Sequence, residues 1–486
     1  MSTCQNILAS KKQRLLSYKT VFFIGALSLA SVPSNATAES LRQALLSAYK
    51  WNPQLDAQRA ALRATDESVP QARSNYRPSL SFSANTSLQQ QNTSPDLATE
   101  GRSYPSSYTF ALNQQIFRGF RTRNAVNAAE ANVRAGRETL RSVEQTVLLN
   151  AVTAYMNVVR DTAIVRLQEN NVRVLSRNLK ATQDRFSVGE VTRTDVAQSR
   201  ARRAGAVSDL DLARANLKSS RANYERVIGH MPRRLRSPSL PSRLLPNSII
   251  VARSRAEREN PSVVATLYAE QAARYNVNEI SGELLPTVNL DASYSNAYTG
   301  GGASSFSQTE TGVVTGTLTV PLYQRGAVSS RVRQAKHIHV QRMQEVEDNR
   351  TQAREAAIAA WSLLNASRAQ LRSANAQVQA NRIALSGVRE EEKVGQRTLL
   401  DVLDAEQELL DSQVALVTTQ RDLIVNGYSL ISSTGRLTAQ DIALSGKIYD
   451  PEAHYHDIRR KWFGISITDR HGRTKHVTVK DRRSYK

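Results

Sequence analysis

Proline is missing from two long stretches of the 486-residue chain, Ser106 to Met231 (126 residues) and Leu322 to Asp450 (129 residues), although the sequence holds 14 prolines. Inside a helix proline costs about 3 kcal/mol, because it lacks an amide proton and its ring strikes the preceding turn. Gaps of this length predict two extended helical regions. They exclude an all-β protein and argue against a doubly wound α/β enzyme. Stepping from Met343 to Val388 at alternating spacings of 3 and 4, eleven of 14 positions are apolar, with Arg350, Ser367 and Asn381 the exceptions. After Asp195 the seam Val196, Ala206, Leu210, Ala213, Leu217, Tyr224 and Val227 behaves likewise. These are coiled-coil seams, rich in Ala and so suited to close helix approach. A run from about 326 to 390 makes a helix of about 100 Å. A helix that long cannot bury its apolar stripe within one protomer and must pair with neighbours.

The chain is duplicated. Asn52-Pro53 recurs as Asn260-Pro261 and Pro78 as Pro286, both at an offset of 208. The motif Val188-Gly189-x-x-Thr192-x-x-Asp195-Val196 recurs as Val394-Gly395-x-x-Thr398-x-x-Asp401-Val402 at an offset of 206. Landmarks that keep their order over this distance mark a tandem repeat. We divide the chain into a first repeat (39–231), a Pro-rich connector (232–260), a second repeat (261–446) and a basic tail (447–486). Each repeat opens with a short helix (53–76; 261–284), continues with two strand-like segments around a polar loop, and ends in two long helical runs broken at the Val-Gly motif.

The strand-like segments alternate with period 2. In 287–298, Val288, Leu290, Ala292, Tyr294 and Tyr298 oppose Thr287, Asn289, Asp291, Ser293 and Ser295. In 79–88, Leu80, Phe82, Ala84 and Leu88 oppose serines and Asn85. Segments 108–117 (Tyr108, Phe110, Leu112, Ile116) and 314–320 (Val314, Leu318, Val320) follow the same rule. About ten residues is what a tilted membrane strand needs, and an apolar face backed by small hydroxyls suits a wall between lipid and a wet lumen. A sandwich strand with one buried face has the same pattern. Four strands make neither a sandwich nor a closed barrel, and a membrane barrel tolerates no open edge, so they close only by oligomerising.

The first 38 residues read as a secretory signal. Lys11, Lys12, Arg14 and Lys19 precede the apolar run Val21 to Ala30, and Ala36-Thr37-Ala38 is a small-x-small cleavage site that leaves Glu39 first. A basic N-terminal arm is the alternative. The single cysteine, Cys4, lies in this segment, so residues 39–486 carry no disulfide, thiol nucleophile or cysteine for a lipid anchor. They also contain no apolar run of helical-span length. Lys and Arg (65) outnumber Asp and Glu (43) to give +22. The charges are scattered and no aromatics interleave them, so nucleic acid is not expected as a partner of an exported chain. Arg459-Arg460-Lys461 and Arg482-Arg483, set among Pro451, Gly464 and Gly472, predict a disordered tail. Dinucleotide, phosphate-loop, nucleophile-elbow and zinc motifs are absent. His337 and His339 fall on different helix faces, and His454 and His456 lie in the tail. No catalytic residue, metal site or cofactor is expected.

Together these residues resemble the TolC-like outer-membrane efflux family. The resemblance is carried by the start AESLRQALLSAYKWNPQL, the paired Asn-Pro and Pro landmarks, VPLYQRGAVSSRVRQAK at 320–336 and VGQRTLLDVLDAEQELLDSQ at 394–413. It runs from about Glu39 to Leu437. It implies a mixed α and β fold: a homotrimeric outer-membrane β-barrel with four strands per chain, continuous with a long periplasmic coiled-coil barrel of helices. It implies a passive exit duct for a Gram-negative tripartite efflux (multidrug resistance) or type I secretion system. The partners would be a periplasmic adaptor, an inner-membrane pump or ABC transporter, and outer-membrane lipid. Asp401 and Asp404 match the family's entrance carboxylates, and a trimer would set six of them around a constriction. Asp195 and Arg397 match a closed-state latch, with Glu392 where the family usually has Tyr. Val188, Gly189, Thr192, Val394, Gly395 and Thr398 match the hairpin tips that dock the adaptor. A secreted, flagellin-like coiled coil is the alternative function, but would need neither the strands nor the signal. An adaptor protein would lack the duplication.

Overall fold

The computed structural model describes residues 38–91, 101–301, 304–446, 448–468 and 474–475. The expected signal, apart from Ala38, lies outside them. The first repeat comprises α1 (Leu41–Trp51), α2 (Pro53–Asp66), α3 (Ser68–Ser74), β1 (Ser79–Thr86), β2 (Gln89–Gln91), β3 (Gly101–Ser103), β4 (Ser106–Arg118), α4 (Arg121–Ser187) and α5 (Arg193–Ile228). The second comprises α6 (Ile249–Glu259), α7 (Pro261–Ser281), β5 (Thr287–Gly301), β6 (Ser304–Thr319), α8 (Ala327–Lys393) and α9 (Leu399–Ser433). After it come α10 (Ala453–Ile458) and the short pair β7 (Ile467–Thr468) and β8 (Thr474–Lys475).

The proline gaps hold α4 with α5 and α8 with α9. Both α4 and α8 are 67 residues long, about 100 Å each. In the seam counted from Met343, Val346, Ala353, Ala357, Ala360, Leu364, Val378 and Leu385 are buried. Ser367 is buried too, and its hydroxyl accepts Asn426 Nδ2 at 2.8 Å, so the polar exception is satisfied. The duplicated Asn-Pro pairs prove to be joints. Asn52 caps α2, accepting from Gln54 N at 3.0 Å, while its Nδ2 donates to the Val227 carbonyl at 3.1 Å near the end of α5. Asn260 caps α7 in the same way, accepting from Ser262 N at 3.0 Å and donating to the Ser433 carbonyl of α9 at 3.1 Å. Proline follows each because the first helical residue needs no amide partner. The largest core gathers beside the first of these joints, where Leu45, Leu55, Leu62, Leu148, Tyr155, Tyr224, Ile228 and Ile431 bury one another among α1, α2, α4, α5 and α9.

The strands form one antiparallel sheet in the order β1-β4-β5-β6, so the two hairpins abut through β4 and β5. β1 and β6 each pair with a single neighbour within the chain. β4, β5 and β6 run to 13, 15 and 16 residues, longer than the ten-residue expectation. Leu80, Phe82, Phe110, Val314 and Leu318 are exposed on one face, and Phe82 meets Phe110 across the ladder at 4.8 Å between ring centres. Asn113 hydrogen-bonds Asp291 on the other. The alternation fails at Asn296 and Glu310, which share the parity of Leu290 and Val314; Asn296 Nδ2 donates to Glu310 at 2.9 Å.

The tail departs from expectation. Where disorder is expected from residue 447, residues 448–468 are folded against the first repeat. Tyr449 N donates to Tyr49 Oη at 3.1 Å, His454 Nδ1 lies 3.0 Å from Asp66, Glu452 takes Arg137 at 2.6 Å, and Arg459 reaches Glu130 at 3.2 Å. Tyr455 packs on Val69, Ala129 and Val133. The composition counts the tail's positive charge but not the carboxylates on α2 and α4 that receive it. Among the described residues no helix is long and apolar enough to cross a membrane.

Candidate gate at the helical tips

Each long helix turns back at a Val-Gly pair. Gly189 (φ +83°) and Gly395 (φ +79°) occupy the left-handed region that lets the chain reverse without a side-chain clash. The closing hydrogen bonds match in the two repeats: Glu190 N to Arg185 O at 3.0 Å and Gln396 N to Glu391 O at 2.9 Å. No atom lies within 4 Å of where a Cβ would stand at either glycine. The preceding valines are bare, Val188 71% and Val394 69% exposed.

The returning helices start with capping boxes. Thr192 Oγ1 accepts from Asp195 N at 3.3 Å while Asp195 Oδ2 accepts from Thr192 N at 2.8 Å. Thr398 and Asp401 repeat this at 3.2 and 2.9 Å. The Thr398 backbone N–H, with its hydroxyl, holds the Asp401 carboxyl below the usual Asp range. The expected latch partners are therefore not joined within one chain. Asp195 is occupied by Thr192, and Arg397 Nε donates to Glu391 at 2.9 Å.

Other residues bridge the two hairpins. Arg185 on α4 donates to Glu392 on α8 at 2.8 Å, so Glu392 meets a cation rather than Asp195. Arg202 on α5 pairs with Asp404, one turn beyond Asp401 on α9. Glu406 on α9 is buried, yet Asn178 Nδ2 reaches its two oxygens at 3.2 and 3.0 Å and Arg389 donates at 2.6 Å. Leu175, Ala206 and Leu403 pack together beside this network. A cleft of about 680 Å³ opens here between α4, α5 and α9, lined in part by Asn171, Arg202, Asp209, Glu406 and Gln407.

Comparison with known proteins identifies the class. The model of the family described as outer membrane efflux protein matches twice, over residues 44–230 and 252–436. The chain belongs to the outer membrane efflux protein family. It is 41% identical to the outer membrane efflux protein BepC of Brucella suis biovar 1 (strain 1330) over 89% of this chain and 93% of that one. It is 27% identical to the outer membrane protein TolC of Escherichia coli (strain K12), over 87% of this chain and 88% of TolC. Its fold is that of the Campylobacter jejuni CmeC outer membrane channel, with a TM-score of 0.73 at 17% identity, over 86% of this chain and 89% of CmeC. As a member of the efflux family the protein resides in the outer membrane and serves as an exit duct. The four-stranded sheet is its membrane part, and the long helices project into the periplasm. Family membership removes the secreted-filament alternative.

Sequence reasoning finds the turns because both repeats carry the same motif, but not the capping role of Thr192 and Thr398. It misses Arg185, Arg202, Asn178, Arg389 and Glu406. A signal for two of them, Arg202 and Glu406, exists in the comparison of the repeats. Residues 193–203 of α5 hold four Arg and one Asp, whereas 399–411 of α9 hold five acidic residues and no basic one. Hairpins of opposite charge are made to meet.

Proposed function

We propose that three copies of the chain close into one passive duct, gated at the helical tips and coupled there to a periplasmic adaptor and an inner-membrane pump. The observation that carries this reading is the pair of open edges, β1 and β6, on a sheet whose exposed face is apolar. In hydrocarbon each unpaired backbone group costs several kcal/mol, so β1 of one copy must meet β6 of the next. Three copies give the twelve-stranded barrel that the family resemblance implies. The duct performs no catalysis and holds no cofactor or metal; the pump supplies the energy.

At the periplasmic end, Asp401 and Asp404 would contribute six carboxylates to a constriction that attracts cations. Asp404 enters it already paired with Arg202, and Asp401 with one oxygen committed to its cap. The proposed Asp195–Arg397 contact belongs between neighbouring copies. Within a copy, Arg185–Glu392 and Arg202–Asp404 hold the first hairpin to the second. The bare Val188 and Val394, with the open turns at Gly189 and Gly395, present small apolar tips to the adaptor. Thr192 and Thr398 fix the angle at which those tips leave the helix. The test is assembly in place. Outer-membrane fractions run unheated in detergent gels are expected to show a trimer band that collapses to monomer on boiling. A monomer or an open-ended polymer would overturn the reading.

A further inference from the structure

The folded tail leads somewhere. Its contacts climb in order from α1 through α2 to the turn after α3: Tyr449 at Tyr49 and Arg59, His454 at Asp66, then Lys461, whose carbonyl accepts Arg77 Nη1 at 2.8 Å. Its contacts on α4 descend in step, Glu452 at Arg137 and then Arg459 at Glu130, toward the start of that helix at Arg121. Both rails end at the junction where the helices give way to the sheet, since Arg77 stands two residues before β1. There the segment delivers Trp462, its ring 4.5 Å from the Arg77 guanidinium, followed by Phe463 and Ile465. These side chains are 67%, 90% and 90% exposed, unusual for three large apolar groups placed so close together. Arg460 and Lys461 adjoin them, and from Arg459 to Lys486 the sequence carries ten Lys and Arg against two Asp.

We propose that residues 459–467 are a membrane-interface foot that seats Trp462, Phe463 and Ile465 among the acyl chains of the outer membrane's periplasmic leaflet and sets Arg460 and Lys461 on anionic phospholipid headgroups. The inference rests on the outer-membrane reading above. Aromatic side chains favour the boundary between headgroups and hydrocarbon, and clustered Lys and Arg beside a membrane-embedded element favour anionic lipid. The apolar trio separates this surface from one made for a polyanionic cell-wall polymer, which would reward the charges alone.

The chain has three tryptophans, Trp51, Trp361 and Trp462. The full-length Trp51→Phe/Trp361→Phe protein therefore reports on Trp462 alone. It is reconstituted into phosphatidylethanolamine vesicles with and without phosphatidylglycerol, the acyl chains plain or brominated. Co-flotation and channel conductance check the barrel independently, so a failed insertion is distinguishable from a failed foot. The expected result is blue-shifted emission that brominated lipid quenches about twofold, with weaker quenching when phosphatidylglycerol is omitted. Emission quenched by aqueous iodide but not by brominated lipid would overturn the proposal. So would emission shielded from both, which would place the foot against a neighbouring copy. Quenching indifferent to phosphatidylglycerol would overturn the role of Arg460 and Lys461.

Discussion

Glu144 sits where its charge is least welcome. Its carboxylate accepts the Ala439 N–H at 2.6 Å, and burial pushes its pKa above the usual carboxylate range, with Asp441 adding to the rise and Ala439, Arg59 and Arg141 opposing it. A raised folded-state value means that folding favours the proton. Stability from this group is present below the unfolded pKa and lost as pH rises through the folded value. Glu144→Gln keeps an oxygen for Ala439 and removes the charge. Thermal unfolding of the variant is expected to lose that decline and to exceed wild type above the window; an unchanged pH profile would contradict the assignment. Asp401 has the opposite sign. Its lowered pKa keeps the cap of α9 intact through mild acid, and that stability fades only as pH falls through the depressed value. At the turns, Gly189→Ala and Gly395→Ala meet no neighbouring atom, so each costs only the left-handed strain of about 1 kcal/mol. With both changed, trimers should persist in the outer membrane while toxin resistance is lost. Loss of the trimers themselves would show the glycines to be structural alone.

The helices were the most legible elements. Proline-free sequence marked α4 with α5 and α8 with α9, and the period of 3 and 4 named most of the buried seam of α8 and of α5, because a helix repeats its environment often enough to print it on one chain. The Val-Gly turns were legible for a similar reason, being written twice, whereas the capping role of Thr192 and Thr398 was not. Nor was what brings α4 to α8. Arg185 and Glu392 are 207 residues apart, and each taken alone is an ordinary surface charge. The tail was misread because Asp66, Glu130 and Arg137, which order it, are distant from it in sequence. The cross-hairpin pairs are half exposed, worth about 1 kcal/mol or less each, so they suit a latch that must open. Arg185→Ser with Glu392→Gln is expected to raise single-channel conductance in planar bilayers. The exchanged pair Arg185→Glu with Glu392→Arg should return it toward wild type. Conductance unmoved by the double removal would exclude these residues from the latch.

At the scale of the molecule, the sheet and the helical tips lie on either side of a waist that α4 and α8 cross unbroken. Toward the membrane lies the sheet, and away from it the paired hairpins extend to the tips. Asn52 and Asn260 stand at that waist, each tying the start of a short helix to the end of the returning one. From there α5 reaches 36 residues to its tip, an arm of about 54 Å. An arm of that length is a lever. A swing of about 10° at the asparagine moves the far end by about 9 Å, more than the reach of any salt bridge that holds it. Asn52→Ala with Asn260→Ala, each removing a cap and a tie far from the pore mouth, is thus expected to change open-channel probability while leaving the tip residues untouched. Channel records identical to wild type would show that the pivot lies elsewhere. In the proposed duct, a partner that grips only the tips would therefore work against the fulcrum with its full mechanical advantage, and small forces at the far end would suffice to open it.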